Sequence, residues 1–72
     1  MESESIVRLK EHIKPNIQKG DFVIVGKMLG ISQDNARMRF QRNKEVAVLA
    51  MKELIETREN LIHKYRSKLS QV

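Results

Sequence analysis

Apolar residues recur along this chain at three- and four-residue steps, the spacing that gathers one face of an α-helix. Between Ser3 and Lys14 the steps fall on Ile6, Leu9 and Ile13, with charged residues between them. The pattern predicts a short amphipathic helix with Ser3 or Ser5 as its N-cap. Lys14 precedes Pro15, whose ring pushes the Lys14 backbone away from the helical region, so the helix ends or kinks there. Beyond Gly30 the chain has neither glycine nor proline, and everything to its C-terminus can be helical.

The run Phe22 to Val25 is rich in β-branched residues and would suit a buried strand. Gly20 and Asp21, however, supply a turn and a helix N-cap, and Leu29-Gly30 has the form of a helix end with glycine at C′. A lone strand would leave its backbone groups unpaired, so a second helix is assigned to Phe22–Leu29. Ser32 opens a third as N-cap, with Asp34 near the positive end of the helix dipole. Ala36 and Phe40, four apart, share its inward face.

That third helix runs to about Asn43, which would cap a fourth at its N-terminus; without a break there, Gln33 to Leu69 would be one long helix. The fourth segment, Lys44 to Leu69, would extend roughly 40 Å. Its apolar stripe passes through Val48, Met51, Ile55, Ile62, Tyr65 and Leu69, interrupted by Arg58 and widened by Leu54 and Leu61. Lys52, Glu53, Glu56, Glu59 and Lys64 occupy the far face. The expected architecture is all-α: a small helical domain with a helix-turn-helix followed by a long C-terminal helix. Residues 1–43 hold the N-terminal helix and helix-turn-helix, and 44–72 the long helix, as one compact domain overall.

With 72 residues, a single core is marginal, and such chains usually draw on disulfides, a metal or self-association. The chain has no cysteine, which removes disulfides and thiolate zinc sites and makes a homo-oligomer, a dimer foremost, the expectation. The N-terminal stretch is acidic first and only briefly apolar, unlike a signal peptide, and no apolar run approaches a membrane span. A soluble, cytoplasmic protein with no membrane partner is expected. The net charge of +5 raises the weight of a polyanionic partner. From Arg37 to Lys44 there are four cations and no acid, whereas the rest of the C-terminal half interleaves both signs.

Two helices joined by a tight glycine turn need particular residues in order. Apolar Val25 and Leu29 on the first must meet Ala36 on the second; a tiny residue, Gly26, fits where they cross. Gly30 turns the chain, Ile31 plugs the turn and Ser32 caps the second helix. The segment VGKMLGISQDNARMRFQR, Val25 to Arg42, resembles the helix-turn-helix of the sigma-factor C-terminal promoter-recognition domain and related response-regulator domains. Leu29, Gly30, Ile31, Ser32, Arg39 and Arg42 match that pattern directly. Gly26 replaces its usual Ala, Asn35 its Thr, Ala36 its Val and Phe40 its Leu. The resemblance covers about a quarter of the chain, and the polymerase-binding regions of a sigma factor have no room here.

The resemblance implies a recognition helix from Gln33 to about Gln41, with Gln33, Asp34, Arg37, Met38 and Gln41 outward. Gln pairs with adenine and Arg with guanine, so Gln33 and Arg37 become the base readers, while Met38 would touch a thymine methyl. Ser32, Asn35, Arg39, Arg42 and Lys44 would contact phosphates, joined by Lys27 from the preceding helix. Asp34 would repel phosphate unless it accepts from a cytosine amino group. The plainer alternative is that Arg37, Arg39 and Arg42 form a solvated face.

The long helix would supply the dimer. Its first half packs on the domain through Ile6, Leu9 and Ile13, and its second half, from about Arg58, pairs with a copy. Ile55, Ile62, Tyr65 and Leu69 form that seam, and Arg58 at its centre fixes register.

Other chemistry is not supported by spacing. A phosphate-binding loop needs four residues between its glycines and Ser or Thr after its Lys; here five separate Gly20 from Gly26, and Met28 follows Lys27. His12 and His63 are isolated, and no nucleophile–base constellation occurs, so neither a metal nor catalysis is expected. Three aromatics make no stacking platform for single strands. No cofactor and no small-molecule ligand is expected. The reading is a small sequence-specific duplex DNA-binding protein, a transcriptional regulator or mobile-element factor. Its rival is a helical protein-interaction or oligomerisation module that binds no nucleic acid.

Overall fold

The turns of this chain are set by residues that tolerate, or require, unusual backbone geometry, and the helices fall between them. The computed structural model describes residues 4–70, which are all-α with no strand among them. Helix α1 spans Glu4–Ile13, α2 Asp21–Leu29, α3 Gln33–Gln41 and α4 Glu45–Ser70, with a 3₁₀ turn at Lys14–Asn16. α1 stops ahead of Pro15, which sits in the first positions of that turn, where its missing N–H costs nothing. Ser5 lies inside α1 and does not cap it; Ser3, the other expected cap, falls outside the described residues.

The N-cap position of α2 is held by Gly20 at φ 91°, with no side-chain cap. Asp21, expected there, is instead the first helical residue, and its Oδ2 accepts from the Gln18 N–H at 2.7 Å. Phe22 to Val25 is helical. On a helix, four consecutive apolar residues spread over most of the circumference, so they cannot all turn inward. Val25 is buried at 1% exposure, while Val23 and Ile24 remain 38% and 43% exposed.

α2 and α3 close in the same way. Gly30, at φ 70°, follows α2; the Ile31 N–H reaches the Gly26 carbonyl at 2.9 Å and the Gly30 N–H the Lys27 carbonyl at 3.4 Å. After α3, Asn43 takes the left-handed position at φ 58°, with Lys44 N–H to Arg39 carbonyl at 2.9 Å and Asn43 N–H to Phe40 carbonyl at 3.1 Å. Both are Schellman closures, which satisfy the last carbonyls of a helix. The break between α3 and α4 is therefore real. Asn43, expected to cap α4, instead ends α3, a position that asparagine accepts more readily than most residues.

Every helix contributes to one core. α1 supplies Ile6 and Ile13, α2 Val25, α3 Ala36 and Phe40, and α4 Ala47, Val48, Met51 and Ile55, with Met51 and Val48 fully enclosed. Leu9, Leu29 and Leu54 pack against it from the edge. Ile55, expected at an oligomer seam, is 3% exposed because it belongs to this core. Beyond Arg58 no described residue of α4 is even partly buried, and the helix projects from a molecule measuring 50 × 26 × 16 Å. No helix among the described residues is long and apolar enough to cross a membrane.

Candidate nucleic-acid interface

α3 is held at its start, on its inner side and at its end. Ser32, in extended conformation, caps it by accepting the Asn35 N–H on Oγ at 3.2 Å. The turn before it passes so close to α2 that a Cβ on Gly26 would lie 2.8 Å from the Ile31 carbonyl oxygen and 3.3 Å from the Ser32 carbonyl. Glycine is required there by the turn's backbone, where the sequence suggested a crossing of two helices. On the inner side, the Phe40 ring meets Phe22 edge-on, with centroids 5.5 Å apart and planes at 74°.

The outer side carries the sequence-predicted residues, and they divide. Ser32, Gln33, Asn35, Arg37, Met38, Arg39, Gln41, Arg42 and Lys44 are all exposed or partly so, as is Lys27 on α2. With Ala36 and Phe40 inward and about 100° per residue, Met38 stands at the crest of α3, with Asp34 and Gln41 beside it toward Arg37, and Asn35 and Arg42 beside it toward Arg39. Gln33 and Arg37 lie on one flank; Asn35, Arg39 and Arg42 lie on the other. Arg37 and Arg39 are roughly 200° apart across the crest. The three arginines thus form two banks and not the single basic side that their closeness in sequence suggested.

Arg37 sits with its guanidinium 5.6 Å from the centre of the Phe22 ring. It shares a groove of about 410 Å³ with Lys10, Lys14, Ile17, Phe22, Phe40 and Gln41. Lys10 donates from Nζ to the Gln41 carbonyl at 3.2 Å and stands 5.3 Å from the centre of the Phe40 ring. Arg39 and Lys44 meet at a second cleft, lined also by Glu45, Val46 and Ala47. Lys27 lines neither. Lys10 and Lys14 were absent from the predicted site. Their four-residue spacing was legible, but only the tertiary fold lays them beside α3.

The charges on both banks are available. Among the described residues, ion pairs join Arg8 to Glu4, Lys52 to Glu56 and Arg58 to Asp21, and none involves an arginine of α3. Arg58 was expected to set register between two copies. It instead grips its own chain: Nη1 and Nη2 donate to the Asp21 carboxylate at 2.8 and 3.2 Å, and Nη2 to the Asn16 carbonyl at 3.0 Å. Burial pushes the Asp21 carboxyl up, but the hydrogen bonds from Arg58 and the Gln18 N–H, with the Arg58 charge, outweigh it and hold the group below its ordinary range.

No protein-family model, curated protein or solved structure matches the chain. Among the described residues, no group of three or more His, Cys, Asp or Glu side chains gathers where it could hold a metal ion.

Proposed function

We propose that this chain is a small sequence-specific duplex DNA-binding protein, acting as a homodimer in transcriptional regulation or in the handling of a mobile element's DNA. In this reading α2, the Gly30 turn and α3 work as a helix-turn-helix similar to that of the sigma-factor promoter-recognition domain. The observation that carries it is a firmly capped, exposed α3 whose arginines enter no ion pair among the described residues. Evenly solvated helix faces usually interleave both signs, as α4 does.

The parts then have distinct roles. Met38 on the crest and Gln41 beside it face base edges, while Gln33 and Arg37 reach adenine and guanine from the flank. Asn35, Arg39, Arg42 and Lys44 take phosphates on the far flank, helped by Ser32 and by Lys27 from α2. The projecting half of α4 pairs with its copy through Ile62, Tyr65 and Leu69, which are 53%, 57% and 71% exposed.

Those exposed side chains also support the rival reading, a helical interaction module without nucleic acid. Salt separates the two. If several phosphates are neutralised, affinity for a mixed duplex falls steeply between about 50 and 200 mM salt. Arg37→Ala is expected to weaken binding to the preferred site by about 1–3 kcal/mol. A gel-shift titration in which that variant keeps wild-type affinity would remove Arg37 from the interface. A stable oligomer that binds no duplex even at low salt would favour the module.

A further inference from the structure

A helix about 10–12 Å across seated in a major groove about 12 Å wide meets a phosphate backbone along each flank. On α3 one flank is well supplied, by Arg39, Arg42 and Lys44. Along the opposite flank α3 itself offers only Gln33 and Arg37, and its C-terminal carbonyls present partial negative charge to any phosphate that approaches.

The structure fills that gap from another element. Lys10 of α1 places its ammonium on the Gln41 carbonyl, 3.2 Å away, where it offsets the negative end of α3. The Phe40 ring lies 5.3 Å beneath it and fixes its position. Lys14 lines the same groove, at the start of the 3₁₀ turn, and Arg37 closes it over Phe22. Three cations line this groove and no carboxylate does, while Ile17, Phe22 and Phe40 give it an apolar floor.

We infer that Lys10 and Lys14, beside the base-reading Arg37, form a second phosphate-binding bank that grips the duplex backbone on the side of α3 opposite Arg39, Arg42 and Lys44. The inference rests on the DNA-binding reading and extends its footprint from the helix-turn-helix to α1. Both walls of the groove are then held, so α3 is centred between them and its crest is aimed at the bases. Neither lysine touches a base, so their contribution is independent of sequence and screened by salt.

The test is fluorescence anisotropy of the full chain on a labelled mixed-sequence duplex, from 50 to 200 mM salt. The slope of log K against log salt should become shallower by about 0.9 in Lys14→Gln and by about 1.8 in Lys10→Gln/Lys14→Gln. Lys64→Gln, which removes the same charge from the projecting part of α4, should leave the slope unchanged. Because Lys10 bonds to α3, each variant's thermal unfolding is measured by circular dichroism. The exposed Lys14 alone decides the matter if the double variant melts early. Wild-type binding with unaltered slopes in both the Lys14→Gln and the Lys10→Gln/Lys14→Gln variants overturns the inference and spares the DNA reading; so does a Lys64→Gln change as large as that of Lys14→Gln. Failure of the wild type to bind duplex at 50 mM salt overturns both.

Discussion

At Gly26 two opposing energies meet in one hydrogen atom. Alanine would gain about 1 kcal/mol of helix propensity over glycine, but its Cβ would stand 2.8 Å from the Ile31 carbonyl oxygen. That oxygen is backbone, in a turn already tied down by the Ile31 N–H to the Gly26 carbonyl, so it cannot rotate aside as a side chain would. We expect Gly26→Ala to destabilise by about 1–3 kcal/mol, the usual cost of overpacking. Thermal melting checks this, and a variant that melts at or above the wild type would show that the turn yields. The sequence made the need for a small residue visible at this position. It did not reveal the atom responsible, because that depends on how closely the turn folds back. Asp21 was less legible still: a glycine–aspartate pair looks like a turn and cap, whereas its main partner is 37 residues away.

Between elements, the Asp21–Arg58 pair binds the α1–α2 turn to α4. Asp21→Asn leaves a guanidinium, about one-quarter exposed, without its counter-charge. We expect a loss of about 2 kcal/mol, below the 3–5 or so seen when a fully buried pair is broken. A double-mutant cycle with Arg58→Met should return most of that as coupling. The pH dependence has a definite sign. Because the folded carboxyl titrates below its unfolded value of about 3.9, the pair stabilises the fold above that value and its contribution is lost as pH falls through the folded one. The gap in melting temperature between wild type and Asp21→Asn should therefore narrow on acidification from pH 5 toward 3. A gap that stays constant would assign the stabilisation to packing. Helix order and the inward faces of α3 and α4 were open to reading from three- and four-residue spacing, since local periodicity and core burial agree there. Gly30 was legible as a stop for the same local reason. The part played by Asn43 was not, because asparagine favours helix starts and left-handed ends alike.

Over the whole molecule, the core ends at Ile55 and the last tie to the domain is Arg58, yet α4 continues to Ser70. Leu61, Ile62, Tyr65 and Leu69 extend the stripe into solvent at exposures of 53–71%. If this surface joins two copies, Ile62→Glu/Tyr65→Glu should give a monomer by sedimentation and lower DNA affinity. Its core should still melt cooperatively, since neither side chain is buried in the single chain. A wild type that sediments as a monomer at tens of micromolar would remove the dimer from the proposal and leave the α3 interface standing. Along the sequence a single apolar stripe continues past the residues of the core. Reading along α4 puts a division at about Arg58, where that residue interrupts the stripe; in the fold burial ends at Ile55, set by where α1 and α2 stop.

That uninterrupted passage of α4 from core to open solvent makes it a rigid shaft with a fixed rotational phase. One residue inserted after Arg58 would swing the outer stripe by about 100° around the axis relative to the exposed crest of α3, whereas seven would return it almost to its starting direction. Whatever docks on the far end is thus oriented, through the helical pitch, with respect to the arginines at the near one.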